Sequence, residues 1–170
     1  MVKVQKVFLL IVLTVLERSV QETSDTTFGI FRHKEYYFSN SFKLNWFKAV
    51  EYCRLRGMFL LSVRNGEERE AVVQYLDSTG YTKMRDNFMF WTSANDLGEE
   101  GEFHWASTGE RVNYANWREG EPTGIGGNNS TKEDCCCMEY RSGGGANFNY
   151  TFNDRSCRQE LLFLCETLPA

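Results

Sequence analysis

Residues 45–53 have the sequence Asn-Trp-Phe-Lys-Ala-Val-Glu-Tyr-Cys, which predicts the helix on which this fold depends. Asn45 is a good N-cap, because its side-chain oxygen can accept a hydrogen bond from a backbone N–H of the first turn. We expect the helix to end at Gly57, since glycine readily adopts the left-handed conformation that ends many helices. The apolar positions have the spacing of one helix face: Trp46, Ala49, Val50 and Cys53.

A second helix is predicted after a short buried strand over residues 58–63. Asn65 and Glu68 have the spacing of a capping box, in which the first side chain caps the helix and the second bonds back to the preceding backbone. This helix should end at Gly80. Its apolar stripe consists of Ala71, Val72, Tyr75 and Leu76.

The rest of the chain has the patterns of short strands and long loops. Aromatic and polar residues alternate from Phe28 to Phe42, which predicts one or two strands before the first helix. Later strands are predicted at residues 88–92, 102–105, 136–140, 150–152 and 161–165. Glycine-rich loops separate them, and the element order predicts an α+β domain.

The first twenty residues, 1–20, have the composition of a secretory signal peptide. Lys3 and Lys6 precede the apolar run 7–16, which is too short to span a bilayer comfortably. A signal anchor is the alternative, because no clear small-x-small cleavage site follows. We expect cleavage, secretion to the extracellular space and no membrane contact afterwards.

The remaining chain is expected to form a tail over residues 21–30 and one domain over residues 31–168. The full sequence has a formal net charge of −4 and no run of basic residues, so the domain is a poor candidate for binding nucleic acid or anionic lipid. An acidic domain is a reasonable candidate for binding cations. Three glycosylation sequons agree with secretion and surface loops: Asn128, Asn129 and Asn149.

Six cysteines after a signal peptide predict disulfides, although the sequence leaves their pairing open. Cys136 and Cys137 are adjacent in a predicted strand, so both cannot face the same core. A vicinal bridge, an exchange of partner with Cys135, and a disulfide-linked homodimer through Cys136 or Cys137 all remain open. Zinc is not expected, because three consecutive cysteines cannot surround a tetrahedral ion.

Hard oxygen donors gather between residues 121 and 157. Three carboxylates and one amide supply them: Glu121, Glu133, Asp154 and Asn153. Such oxygens on a rigid loop are the ligands that calcium requires. The peptide bond before Pro122 can be cis, which would turn two side-chain oxygens the same way.

The sequence does not favour an enzyme. His33 lies in a charged segment and His104 in a predicted strand, and no nucleophile motif such as Gly-x-Ser-x-Gly is present. Glu121 and Glu133 could be compared with the carboxylate pair of a glycosidase. They occur, however, with Asn153 and Asp154 in a set typical of calcium.

The order and spacing of several motifs resemble the C-type lectin domain of short secreted arthropod lectins, over residues 36–166. The motifs are Trp46-x-x-Ala49-x-x-x-Cys53, Phe90-Trp91-Thr92, Asn95-Asp96-Leu97-Gly98, Glu102-Phe103-x-Trp105, Asn116-Trp117, Glu121-Pro122, Glu133-Asp134-Cys135, Phe152-Asn153-Asp154 and Phe163-x-Cys165-Glu166. The resemblance implies a C-type lectin-like fold with two helices, two small antiparallel sheets and a long loop region. It also implies the disulfides Cys53–Cys165 and Cys135–Cys157.

The resemblance further implies that a Ca²⁺ ion binds a glycan. Two neighbouring sugar hydroxyls would complete the shell of the ion, and a Glu that opens the Glu-Pro-x triplet implies a mannose-type preference. Secreted lectins of this kind act in innate defence or adhesion. The implied metal and carbohydrate ligands are Glu121, Thr123, Glu133, Asn153 and Asp154.

Two positions depart from the family pattern. Thr123 stands where sugar-binding members usually have Asn or Asp, and its hydroxyl is a weaker calcium ligand. A second calcium position would use Asp96, Glu100 and Asp134, but its fourth ligand is replaced by Gly124. The alternative function is therefore a calcium-independent C-type-lectin-like module that binds a protein ligand.

Overall fold

The computed structural model describes residues 26–31, 33–127, 130–143 and 148–168. Within these ranges the chain forms eight strands and three helices. They are β1 Thr26–Phe31, β2 Lys34–Ser39, α1 Trp46–Leu55, β3 Phe59–Leu60, α2 Gly66–Ser78, α3 Tyr81–Met84, β4 Asn87–Asn95, β5 His104–Trp105, β6 Cys135–Arg141, β7 Phe148–Arg155 and β8 Leu162–Glu166. The predicted α+β class is confirmed.

The structure describes only part of one of the two segments predicted at the N-terminus. The signal peptide, residues 1–20, lies outside the described residues. The predicted tail, residues 21–30, overlaps β1, which pairs along its whole length with β2. No helix in the described ranges is long and apolar enough to cross a membrane.

The two long helices begin at the predicted caps. The Asn45 side chain accepts a hydrogen bond from the Lys48 N–H at 3.0 Å, and the Asn65 side chain accepts one from the Glu68 N–H at 2.9 Å. The capping box is incomplete, because Glu68 Oε2 accepts from the backbone N–H of Arg64 at 2.8 Å. The four-residue α3 was not predicted, since one turn carries no helical periodicity.

The strands form one continuous sheet in the order β1-β2-β8-β4-β6-β7, with β3 paired to β8 and β5 paired to β4. Antiparallel pairing joins β1, β2, β3 and β8 in one group and β4, β5, β6 and β7 in another. A short parallel contact between β4 and β8 connects the groups. The two predicted antiparallel sheets are thus present as two halves of one sheet.

Each face of the sheet is covered by its own hydrophobic core. Successive residues of a strand point to opposite faces, and here they alternate between two clusters. One cluster contains Phe90 and packs against α2 through Val72 and Leu76, whereas the other contains Trp91 and packs against α1. Because both faces are buried, the strands are apolar on both sides.

A buried ion cluster connects β2, β8 and α2. Lys34 Nζ lies 2.8 Å from Glu166 Oε2 and 3.1 Å from Glu68 Oε1. The other oxygen of Glu166 accepts hydrogen bonds from the N–H of Ser62 at 2.8 Å and from its hydroxyl at 2.5 Å. Burial raises the pKa of the Glu166 carboxyl, although Lys34 opposes that change. The cluster therefore depends on Lys34 to compensate a carboxylate inside the protein.

Candidate metal and carbohydrate site

Strand pairing brings the predicted oxygen donors together. In the antiparallel ladder of β6 and β7, Cys136 lies opposite Asp154 and Cys137 lies opposite Asn153. Glu133 and Asp134 directly precede β6, so they lie at the same end of the ladder. The disulfide Cys135–Cys157 closes this end, and the disulfide Cys53–Cys165 joins α1 to β8, which is the pairing that the resemblance implies.

The loop that contains Glu121 is fastened to Asp154. The peptide bond between Glu121 and Pro122 is cis. Asp154 Oδ2 accepts hydrogen bonds from the backbone N–H of Thr123 at 2.9 Å and of Gly124 at 2.6 Å. Gly124 in turn accepts from the N–H of Glu133 at 3.0 Å through its carbonyl oxygen. Hydrogen bonds to backbone groups therefore hold the Glu121-Pro122-Thr123 triplet beside Glu133 and Asp154.

Arg118 connects two acidic side chains at the site. One of its guanidinium nitrogens contacts Glu121 Oε1, and another lies 3.2 Å from Glu139 Oε2. That same Glu139 oxygen accepts a hydrogen bond from the amide nitrogen of Asn153 at 3.3 Å. Because its NH₂ group is directed to Glu139, the amide of Asn153 keeps its oxygen available for another ligand.

Glu133 is held more loosely than Glu121. Its carboxylate accepts from the Thr123 hydroxyl at 3.4 Å and lies 3.6 Å from the guanidinium of Arg155. It packs against Gly126, where a Cβ would come within 3.2 Å of the carboxylate. The hydroxyl of Thr123 thus points to a metal-ligand candidate, although the residue itself is exposed.

Three oxygens at the site are buried without a hydrogen-bond partner. They are Glu121 Oε2, Asn153 Oδ1 and Asp154 Oδ1. Buried polar atoms are nearly always paired, so unpaired acceptors mark places where a positive ligand would be stabilised. Anionic and amide oxygens together fit a hard cation such as Ca²⁺. Nevertheless, no three His, Cys, Asp or Glu side chains among the described residues form a ready-made metal cluster.

Burial and charge also affect the acidity of the site. Burial, with Glu121 nearby, raises the pKa of Asp154 to about 6. Burial acts on Glu121 in the same direction, but the hydrogen bond and charge of Arg118 leave the pKa of Glu121 below its usual range. Without a cation, the Asp154 carboxyl is therefore the one that takes up a proton in mildly acidic solution.

The predicted second calcium position is also assembled in part. Asp96 Oδ2 accepts from the N–H of Gly101 at 2.8 Å, while Asp96 Oδ1 is buried without a hydrogen-bond partner. Burial, followed by the charges of Glu100 and Asp134, raises the pKa of Asp96. A Cβ on Gly124 would lie 2.2 Å from Glu100 Oε1, and the φ of Gly124 is +68°. The position of the missing fourth ligand therefore has no room for a side chain unless Glu100 moves.

Comparison with known proteins agrees with this arrangement. A family model described as the Lectin C-type domain matches residues 42–167. The chain belongs to the C-type lectin domain family. It is 36% identical over 126 residues to the C-type lectin mosGCTL-7 of Culex quinquefasciatus, covering 74% of this chain and 70% of that protein. It is 33% identical over 133 residues to the C-type lectin 37Db of Drosophila melanogaster, covering 78% and 77%.

Solved structures show the same fold. The lectin domain superposes on the mouse scavenger receptor C-type lectin carbohydrate-recognition domain with a TM-score of 0.67 at 24% identity, covering 84% of this chain and 96% of that one. It also matches the cow carbohydrate-recognition domain of CD23, determined in the presence of a GlcNAc2Man3 oligosaccharide. That comparison has a TM-score of 0.62 at 28% identity and covers 84% and 94% of the two chains. The family model and these relatives are described as lectins.

The two extra cysteines of the lectin domain lie inside it. Cys136 and Cys137 are free thiols, and both are fully buried. The adjacent side chains do face opposite ways, as alternation predicts, but each enters a different core. A disulfide-linked homodimer through either thiol would require β6 to leave the sheet. The structure therefore gives no support to this predicted dimer.

We expect both thiols to be unreactive in the native protein. Burial raises the pKa of each one, and the thiolate is the reactive form. A chromogenic disulfide reagent should label neither residue before denaturation and both after it. A Leu55→Cys variant is the positive control, because Leu55 is 86% exposed. Rapid labelling of the native wild-type protein, or a dimer on a non-reducing gel, would contradict this expectation.

Three charged residues of the site were not predicted: Arg118, Glu139 and Arg155. Arg118 is three residues from Glu121 but 21 residues from Glu139, and Arg155 contacts the distant Glu133. No local pattern marks these contacts. Among the sequons, Asn149 is exposed on β7, whereas Asn128 and Asn129 lie outside the described residues.

Proposed function

We propose that this chain is a secreted, calcium-dependent lectin that binds glycans and prefers mannose-type sugars. The observation that supports this most is the set of three unpaired buried oxygens on Glu121, Asn153 and Asp154. The names of the relatives support carbohydrate binding in general. Innate defence or adhesion is the biological role that fits a secreted lectin.

In this proposal the metal ligands are Glu121, Glu133, Asn153 and Asp154, with Thr123 contributing its hydroxyl. A bound Ca²⁺ would supply open coordination positions for two neighbouring sugar hydroxyls. The protein orients the oxygens: Asp154 fixes the triplet through two backbone N–H groups, and Glu139 fixes the amide of Asn153. Asp96, Glu100 and Asp134 are the proposed ligands of a second Ca²⁺.

Two arginines, Arg118 and Arg155, compete with a bound cation for the acidic ligands. Each contacts one acidic ligand, so each guanidinium competes with a cation for that carboxylate. The same contacts reduce repulsion among the carboxylates before the ion enters. We therefore expect the loop to keep its shape without metal, at a cost in calcium affinity.

A glycan array, probed with the secreted protein in calcium and again in EDTA, tests the proposed function. Binding to mannose-terminated glycans should occur in calcium and disappear in EDTA. Glu121→Ala and Asn153→Ala variants should lose binding in calcium while remaining folded by circular dichroism. An array profile that is identical in EDTA would rule out a metal-bridged site.

Thr123 provides a gain-of-function prediction. Thr123→Asn replaces a hydroxyl 3.4 Å from Glu133 by an amide oxygen with longer reach. A stronger ligand at this position should raise calcium and mannose affinity by roughly tenfold, which is comparable with the effect of supporting contacts at metal sites. Calcium titration calorimetry measures the effect, and Thr123→Val should shift it the other way. Equal affinities in all three proteins would show that residue 123 does not reach the ion.

Calcium affinity should fall as the pH is lowered from 7 to 5. Metal ligands must be deprotonated, and the pKa of Asp154 is raised to about 6, so protons compete with the ion in that window. Because the pKa of Asp154 is raised in the folded protein, the metal-free protein loses stability as the pH rises through 6. Calcium binds the ionised carboxylate, so calcium stabilises the protein more at pH 7 than at pH 5. The measurement is the calcium-induced shift in Tm at both pH values. A shift that grows on acidification would contradict it.

A calcium-independent module with a protein ligand is the second candidate. It is favoured by the arginine contacts, because Glu121 is already partnered by Arg118 without any metal. The two candidate functions differ in their dependence on calcium. The module would bind its ligand equally in EDTA and show no calcium-induced shift in Tm.

A further inference from the structure

A cavity lies at the far end of β6 from the candidate metal site. It has a volume of about 530 Å³, which is within the range of small-ligand pockets. Cys135 begins β6 beside the metal site, and Arg141 ends the strand at the cavity, where it pairs with Asn87 of β4. Six steps along a strand span about 20 Å. The cavity therefore lies beyond the oxygen cluster along the strand, and Glu139, whose carboxylate contacts Arg118 and Asn153, lies between the two sites.

Three cations surround this cavity. Lys43, Arg85 and Arg141 line it, and all three are exposed. In the part of the chain that the structure describes, no carboxylate lies within ion-pair distance of any of them. Glu139 also lines the cavity, but its carboxylate accepts from Arg118 and Asn153. The cavity is thus positively charged on a domain whose chain is acidic overall.

The cavity wall combines aromatic surface with neutral hydrogen-bonding groups. The guanidinium of Arg141 lies over the ring of Phe148 at 5.4 Å, which orients its donors. The aromatic and apolar wall residues are Tyr81, Phe88, Met89, Tyr140, Leu161 and Leu162, and the neutral polar ones include Ser41, Asn87 and Gln159. Aromatic surface covers the C–H groups of a sugar ring, and amides and hydroxyls bond its hydroxyls. Cations complete the match where the sugar carries an acidic group.

We propose that this cavity binds a short anionic saccharide, bearing sulfate or carboxylate groups, without calcium. Arg85 and Arg141 provide planar donors for the acidic groups, and Lys43 provides a third charge. Nucleic acid does not fit this description, because an extended polyanion would be repelled by the acidic remainder of the domain. This site goes beyond the proposed calcium-dependent function and does not depend on it.

The test is calorimetric titration of a heparin tetrasaccharide into the full secreted protein in EDTA, where the calcium-dependent site is inactive. A hyaluronan tetrasaccharide, which has carboxylates and no sulfate, is the second probe. The variant Arg85→Ser/Arg141→Ser should weaken binding by about tenfold or more, since each lost charge-assisted hydrogen bond costs roughly that much. The charge-matched control is Lys48→Ser/Arg111→Ser, which changes two exposed cations elsewhere.

Saturable binding of either probe, weakened by salt and by the cavity variant but not by the control, supports the proposal. Stronger binding of heparin assigns the preference to sulfate, and equal binding of both probes assigns it to any anionic group. Failure of both probes to bind overturns it, as does equal weakening by the control variant. A circular dichroism spectrum and a Tm equal to those of the wild-type protein show that the cavity variant is folded, so a loss of heparin binding then belongs to the cavity.

Discussion

Replacing Lys34 by methionine is expected to lower the free energy of unfolding by about 3–5 kcal/mol, the cost of breaking a buried ion pair. Lys34 Nζ is 2.8 Å from Glu166, whose side chain has no exposed surface. Methionine keeps the apolar part of the side chain but leaves the Glu166 carboxylate without its cation. For a domain of this size, Tm should fall by roughly 10 °C.

Two comparisons separate lost charge compensation from lost packing. Glu166→Gln added to Lys34→Met should recover most of the stability, because the amide oxygen can still accept from Ser62. The deficit of the single variant should also shrink at lower pH, since the raised pKa of Glu166 lets it become neutral. Urea unfolding of the four proteins in the cycle gives the coupling free energy. Simple additivity of the two substitutions would contradict the ion-pair account.

Replacing Asp154 by asparagine is expected to reduce calcium affinity by about a hundredfold or more. Loss of a residue that only supports a metal ligand costs about 10- to 100-fold, and loss of a charged ligand should cost more. An asparagine oxygen can still accept from the backbone of Thr123 and Gly124, so the loop should stay in place. In EDTA the Tm should be unchanged or higher, because ionised Asp154 is disfavoured in the metal-free protein.

The matched control is Asp77→Asn, which neutralises an exposed carboxylate on α2. It should bind calcium like the wild-type protein. Calcium titration calorimetry and thermal melts with and without EDTA measure both quantities. If Asp154→Asn kept wild-type calcium affinity, Asp154 would not be a ligand. If it lost stability in EDTA, the effect would be structural.

Local signals in the sequence predicted the two long helices and the class of the domain. The caps at Asn45 and Asn65 and the apolar spacing that follows them depend on neighbouring residues, and both helices begin where these signals place them. The class of the domain followed from the order of the elements. Family motifs added the disulfide pairing that the structure shows.

Features that depend on tertiary packing were missed. Alternation correctly placed Cys136 and Cys137 on opposite sides of a strand, but it could not show that both sides are covered. Lys34 and Glu166 are 132 residues apart, and Arg118 reaches Glu139 across 21 residues, so no short pattern reveals either pair. The oxygen donors were found because their chemistry is unusual, whereas the arginines beside them resemble ordinary surface charges.

Retention of the secreted protein on mannose-coated beads tests the central claim most directly. The protein should be retained in calcium and released by EDTA. It should bind galactose-coated beads less well, and the Asp154→Asn variant should pass through both columns while Asp77→Asn is retained. Retention on mannose that survives EDTA, or that Asp154→Asn preserves, would contradict a calcium-bridged carbohydrate site.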